Sequence, residues 1–200
     1  MSQVARRPRS DRTQVDALLD AAGLAFERFG VAQATMVDVA TIAGCSRATL
    51  YRQFPNRESL RMAFVHRATL RIAVEIAPHH VPGDPASMVD LIQRGIRAVR
   101  SDPLLAVWFE PQNMSVPMAL SQGSELLREM STALAQEYAD DPDALADAEL
   151  RGAWILRCIV SLLAMPGESE EAERVSLTTF LVPLLLPGSA DHSARTGSRP

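Results

Sequence analysis

Apolar residues return every three or four positions along most of the chain. Val15, Leu18, Leu19, Ala22, Phe26 and Phe29 form one such stripe. It predicts a helix over Thr13–Phe29, ended by Gly30. Leu60, Phe64, Ala68, Ile72 and Ile76 recur at steps of four and predict a long helix over Arg57–Ala77, stopped before Pro78. Further helices are expected over Pro85–Arg100, Pro103–Glu110, Val116–Tyr138, Pro142–Met165 and Glu168–Val182. Prolines near several of these starts suit a first helical turn, and Pro166-Gly167 separates the last two. The clearest loop is His79–Pro85, and no strand-like alternation or internal repeat occurs. The expected fold class is all-α.

Residues 35–60, TMVDVATIAGCSRATLYRQFPNRESL, carry the densest local signal. Thr35 is placed to cap a helix over Val37–Ala43, and Ser46 a second over Arg47–Phe54. Between them Gly44 supplies the backbone freedom of a sharp turn. Pro55 ends the second helix, because its ring clashes with the preceding turn. Asn56 then caps the next. Two short helices about a glycine turn are the layout of a DNA-binding helix-turn-helix.

The run Ala40, Gly44, Ser46, Thr49-Leu50-Tyr51, Phe54 and Arg57-Glu58-Ser59-Leu60 resembles the DNA-binding signature of the tetracycline-repressor (TetR-like) family of bacterial regulators. The match extends back through Leu18, Ala21-Ala22, Phe26 and Gly30. Arg57 stands where the family usually has lysine, which keeps the charge. The resemblance implies an N-terminal three-helix DNA-binding domain, then a helical ligand-binding and dimerisation domain. The expected boundaries are an arginine-rich arm at 1–10, a DNA-binding domain at 11–56, a body at 57–187 reached through the long helix, and a disordered tail at 188–200.

Residues early in the second helix of such a motif face base edges, and those around it meet phosphates. The DNA-binding candidates are Thr35, Arg47, Ala48, Thr49, Tyr51, Arg52, Gln53 and Arg57. Arg47 suits a bidentate contact to guanine, and the resemblance implies a phosphate contact from the Tyr51 hydroxyl. Arg6, Arg7, Arg9 and Arg12 could follow DNA as an arm. Leu50 and Phe54 read as core.

The body is rich in residues that line adaptable cavities. Trp108, Phe109, Met114 and Met118 lie close in sequence, with Met88, Leu91, Met130 and Trp154 on other apolar faces. Ordinary core is the competing reading for each. The resemblance implies a pocket for a small-molecule effector, which this lining would make apolar or amphipathic, with Arg157 and Ser161 as its polar groups. Residues 153–165 are otherwise apolar on every side and must be covered on every side. The last helix, with Val175, Leu177, Phe180, Leu181 and Val182, covers part. A second subunit would cover the rest, as the family's dimerisation through its last two long helices implies. The interface candidates are Ile155, Ile159, Leu162, Leu177, Phe180 and Leu181.

Charge sharpens this picture. The net charge is −4, but residues 1–71 hold 11 arginines against 6 acids and the remainder 9 against 18. A basic head on an acidic body fits a protein that docks one end on phosphate. The sequence has no apolar run of membrane-spanning length and no signal-peptide pattern, and its cysteines, Cys45 and Cys158, lie far apart. A cytoplasmic homodimer on a double-stranded operator is expected, with no cofactor, no metal and no membrane partner. Adjacent His79-His80 near Glu75 and Asp84 point apart and make a poor metal set. Two alternatives stand beside a ligand-released repressor. One is an effector-independent DNA-binding protein tuned by Cys45 oxidation. The other is a helical enzyme on the same scaffold, against which the lack of a Ser-His-Asp or Cys-His constellation argues.

Overall fold

A computed structural model of the chain describes residues 9–138 and 145–185. All regular structure in them is helical. The elements are α1 (Arg9–Phe29), α2 (Met36–Ile42), α3 (Arg47–Gln53), α4 (Arg57–Ile76), α5 (Pro85–Ser101), α6 (Pro103–Ala106), α7 (Ser115–Gly123), α8 (Glu125–Gln136), α9 (Leu145–Ala164), α10 (Glu170–Ser176) and α11 (Val182–Leu185). Short 3-10 turns lie at Ala77–His79, Val107–Phe109 and Pro111–Asn113. The described residues pack as two compact units, 9–73 with 98–120, and 74–97 with 121–138 and 145–185. Their connections run within α4, α5 and α7.

The first unit buries Leu18, Leu19, Ala22, Ala25 and Phe26 of α1 with Val39, Leu50, Phe54, Leu60 and Phe64. Segment 98–120 joins this core and not the body to which the expected boundary assigned it. The physical reason is aromatic. Trp108 stacks on Phe64 at 5.7 Å with an interplanar angle of 4°, and Phe26 meets both rings edge-on. Three large side chains thus desolvate one another in favoured geometries.

In the second unit Met88, Val89, Ile92 and Ile96 of α5 are buried, as are Ile155, Leu177, Leu181 and Leu185. Helices α8 and α9 make the most extensive helix–helix contact. Small side chains permit it: Ser131, Thr132 and Ala135 are buried on α8, Ala148 and Gly152 on α9. A Cβ at Gly152 would lie 2.6 Å from the Thr132 backbone nitrogen. Two salt-bridged hydrogen bonds join Arg97 to Glu170, at 3.2 and 2.7 Å.

Several expected boundaries shift. Helix α1 includes Arg9 and Ser10, which the expected boundary placed in the arm. Arg6 and Arg7, the side chains of Arg9 and Arg12, and the tail lie outside the described residues, as does the expected helix start at Pro142. The expected helix Val116–Tyr138 is two helices, because Ser124 adopts extended backbone (ψ 111°) and caps Leu127. Pro103–Glu110 tightens into a 3-10 turn after Ala106. The last helix widens into a π turn over Leu177–Leu181. Pro183 accounts for this: it has no N–H to give, and its ring would strike the carbonyl four residues back in a regular helix.

A candidate DNA-binding surface

Helix α2 starts at a reciprocal capping box. The Asp38 amide donates to the Thr35 hydroxyl at 3.2 Å, and the Thr35 amide and hydroxyl donate to Asp38 Oδ2 at 2.8 and 2.6 Å. The Thr35 hydroxyl, then its amide, hold the Asp38 carboxyl below its ordinary range. Thr35 is exposed, yet its hydroxyl is occupied within the fold.

The turn into α3 depends on Gly44 at φ +62°, a left-handed conformation that costs other L-residues energy. The Cys45 amide reaches back to the Ala40 carbonyl at 3.0 Å, and the Cys45 side chain is half-buried. Ser46 caps α3 through the Thr49 amide at 3.1 Å, and the two hydroxyls meet at 2.9 Å.

On α3 the exposed residues are Arg47, Ala48, Tyr51 and Arg52. Their spacing of one, four and five places them on one face. Leu50 and Phe54 pack inward on the other. Thr49 and Gln53 are half-buried at its margins. Tyr51 is 48% exposed, so its ring is not a core aromatic. The first turn of α3 has no acid, and Arg52 is in its last turn. The result is a protruding cationic face with one phenol, suited to phosphates and base edges.

Arg57 is exposed, but one guanidinium N–H donates to the Ala32 carbonyl at 3.0 Å. It therefore serves the fold as well as any phosphate. One turn on, the buried Arg61 donates to the Val31 carbonyl. Burial, with a smaller contribution from Arg57, lowers the Arg61 pKa to about 10. A third polar side chain reaches the same loop. Asn113, 0% exposed, accepts from the Ala32 amide at 3.0 Å and donates to the Val107 carbonyl at 2.8 Å. Sequence reasoning missed Arg61 and Asn113. An asparagine 81 positions from its partner gives no local signal.

The residues expected to line an effector pocket fall into both units. In the first, Trp108 is closed within the aromatic cluster, Phe109 and Met114 are half-buried, and Met118 is exposed. In the second, Met88 is fully buried and Leu91 and Met130 half-buried, while Trp154, Arg157 and Ser161 face outward. An open groove of about 390 Å³ on that unit gathers Leu150, Ala153, Trp154, Arg157 and Leu184. The Arg157 guanidinium lies 5.7 Å from the Trp154 ring centroid.

The interface candidates divide as well. Ile155, Leu177 and Leu181 are buried in the unit's own core, Ile159 and Leu162 are half-buried, and Phe180 is 71% exposed. The first three therefore cannot present side chains to a partner without the core opening. Among the described residues no group of three or more His, Cys, Asp or Glu side chains is placed to hold a metal. His80 instead meets Glu137 Oε2 at 2.6 Å and Ser87 Oγ at 3.1 Å. No helix of the described residues is long and apolar enough to cross a membrane.

Fold and surface together define a helix-turn-helix DNA-binding protein. Residues 12–64 match the model for bacterial regulatory proteins of the tetR family. An HTH-type transcriptional regulator of Mycobacterium tuberculosis is 37% identical over 189 residues, covering 92% of this chain and 91% of its own. The TetR family repressor AlkX from Dietzia sp., implicated in biodegradation of n-alkanes, superposes with a TM-score of 0.60 at 24% identity, over 86% of this chain and 94% of AlkX. The transcriptional repressor QsdR of R. erythropolis gives 0.59 at 20% identity, over 92% of this chain and 99% of its own. The chain belongs to the TetR family of transcriptional regulators.

Proposed function

We propose that this regulator is a homodimeric repressor that reads an operator through α3 and leaves it when a small molecule binds the body. One observation carries the dimer. Leu150 and Trp154 on α9 and Met165 just beyond its end, with Val175, Phe180 and Leu184 around the final π turn, are all exposed. Along α9 they share a face with Arg157 and Ser161. An apolar face of this kind marks an interaction site, and a two-fold partner would cover it and the groove beside Trp154. A two-fold dimer of such regulators reads half-sites about 34 Å apart, one turn of DNA. On each half-site Arg47 reads a base, Tyr51 and Arg52 hold phosphates, and Arg57 adds a cation at the rim.

Repression follows from an operator that overlaps a promoter, and release from a ligand that favours the conformation whose heads no longer match the half-sites. Light scattering tests the dimer, and a monomer at micromolar concentration refutes it. For release, a compound that raises the melting temperature must also dissociate a selected duplex in a gel shift. Compounds that bind tightly and leave the complex intact support a second reading, DNA binding without an effector. The closure of Trp108 and Met88 within their cores favours that alternative.

A further inference from the structure

The loop between α1 and α2 is fixed by side chains from outside the helix-turn-helix. Gly30 turns the chain at φ +80°, and the Gln33 and Ala34 amides close back on the Gly30 carbonyl at 3.2 and 2.9 Å. The carbonyls of Val31 and Ala32 accept from Arg61 and Arg57 of α4. The Ala32 amide donates to Asn113 Oδ1. Buried Val31 and Ala34 fix where the loop's side chains lie. They do not fix the rotation of the Val31–Ala32 peptide unit; Arg61 on its carbonyl and Asn113 on its N–H do.

Asn113 differs from the two arginines in what stands behind it. Its Nδ2 donates to the carbonyl of Val107, next to Trp108 and the aromatic cluster. One carboxamide thus joins a buried turn to the loop that ends at Thr35, the cap of α2. Rotation at Ala32 displaces that cap three residues on, and α3 follows through the short turn at Gly44. We propose that Asn113 is a positioning residue for DNA recognition, holding α2 and α3 in register from a segment that touches no DNA itself. It acts on the selectivity of the surface and not on its charge.

Two variants separate this role from plain support of the fold. Asn113→Ser removes the reach to both partners. Asn113→Asp keeps the acceptor for the Ala32 amide but sets a carboxylate against the Val107 carbonyl, and so destabilises the core. The probe is a duplex that the wild type selects from a random-sequence pool, with a scrambled duplex as control. Asn113→Ser is expected to lose affinity for the selected duplex by on the order of tenfold, with scrambled-duplex affinity and salt slope unchanged. Asn113→Asp, which keeps the acceptor for the Ala32 amide, is expected to lose less affinity for the selected duplex than Asn113→Ser, although its melting temperature falls at least as far. Affinity that follows melting temperature in both variants, or Asn113→Ser binding the selected duplex as the wild type does, overturns the proposal. Amide exchange on the wild type adds an arm that needs no variant. An Ala32 amide as protected as the α1 core supports the latch, and one that exchanges like an open loop amide removes it.

Discussion

Trp108 lies flat on Phe64, their rings 5.7 Å apart and 4° from parallel. This pair ties the 3-10 turn after α6 to α4 within the DNA-binding unit. Trp108→Ala is expected to cost about 3–5 kcal/mol, the range for emptying a buried aromatic site. Trp108→Phe should cost much less than its lost volume suggests, because the indole Nε1 is buried without a partner among the described residues. Removing such a donor offsets part of the lost packing. Thermal melts of the two variants check both figures, and equal losses would count against this account of the indole.

Arg47→Ala should weaken the selected duplex by about 1–3 kcal/mol and relax preference at one base position. Repeating the sequence selection with the variant is the measurement. An unchanged consensus would remove Arg47 from base readout.

Arg57→Ala should weaken all duplexes alike and reduce the salt slope by about 1. Because Arg57 also holds the Ala32 carbonyl, the melting temperature should fall as well. Titrations at several salt concentrations beside a melt resolve the two effects. A loss confined to the selected duplex would make Arg57 a reader of bases.

Leu150→Glu and Phe180→Glu should give folded monomers, since both side chains are exposed in one chain. Ile155→Glu should unfold the protein, because an unpaired charge would enter a fully buried site. Light scattering and circular dichroism distinguish these outcomes, and a dimer that survives both surface charges would move the interface elsewhere.

His66 on α4 has its pKa lowered by burial. The unfolded chain therefore takes up this proton first as pH falls through about 6.5. Above that range the group contributes nothing to the pH dependence. Below it, stability is lost on acidification until the folded state also binds the proton. His66→Gln should flatten that part of the stability profile, as denaturant titrations between neutral and mildly acidic pH would register. A profile unchanged by the substitution would place the acid sensitivity in other groups.

The sequence made the helix-turn-helix legible because each signal there is local. Thr35 and Ser46 cap, Gly44 turns, and Leu50 and Phe54 face inward. Helix α4 was equally plain from its four-residue period. The break at Ser124 was hidden because serine also occurs inside helices, and its capping role depends on backbone geometry. The π turn was hidden because Pro183 signals only that a regular helix is interrupted, which an early helix end would satisfy as well. On α9 the apolar run left no way to tell inner from outer faces. Trp154, expected in a pocket, is exposed on an open groove, while Ile155, expected at an interface, is inside. Asn113 could not be found at all, since its partners are assembled only by the folded chain.

The missing side chain at Gly152 bears on how the body can move. With the Thr132 backbone where a Cβ would stand, α8 and α9 mesh like a tooth in a notch. Sliding one along the other by a turn would bring the side chain of Ala148 or Ile155, which share the buried face with Gly152, against that backbone. The two helices are geared together, so a displacement imposed on one is delivered to the other without slack. Any signal that enters this hairpin leaves it as the motion of a single lever, and a residue larger than glycine at 152 would strip the gear before it altered any binding surface.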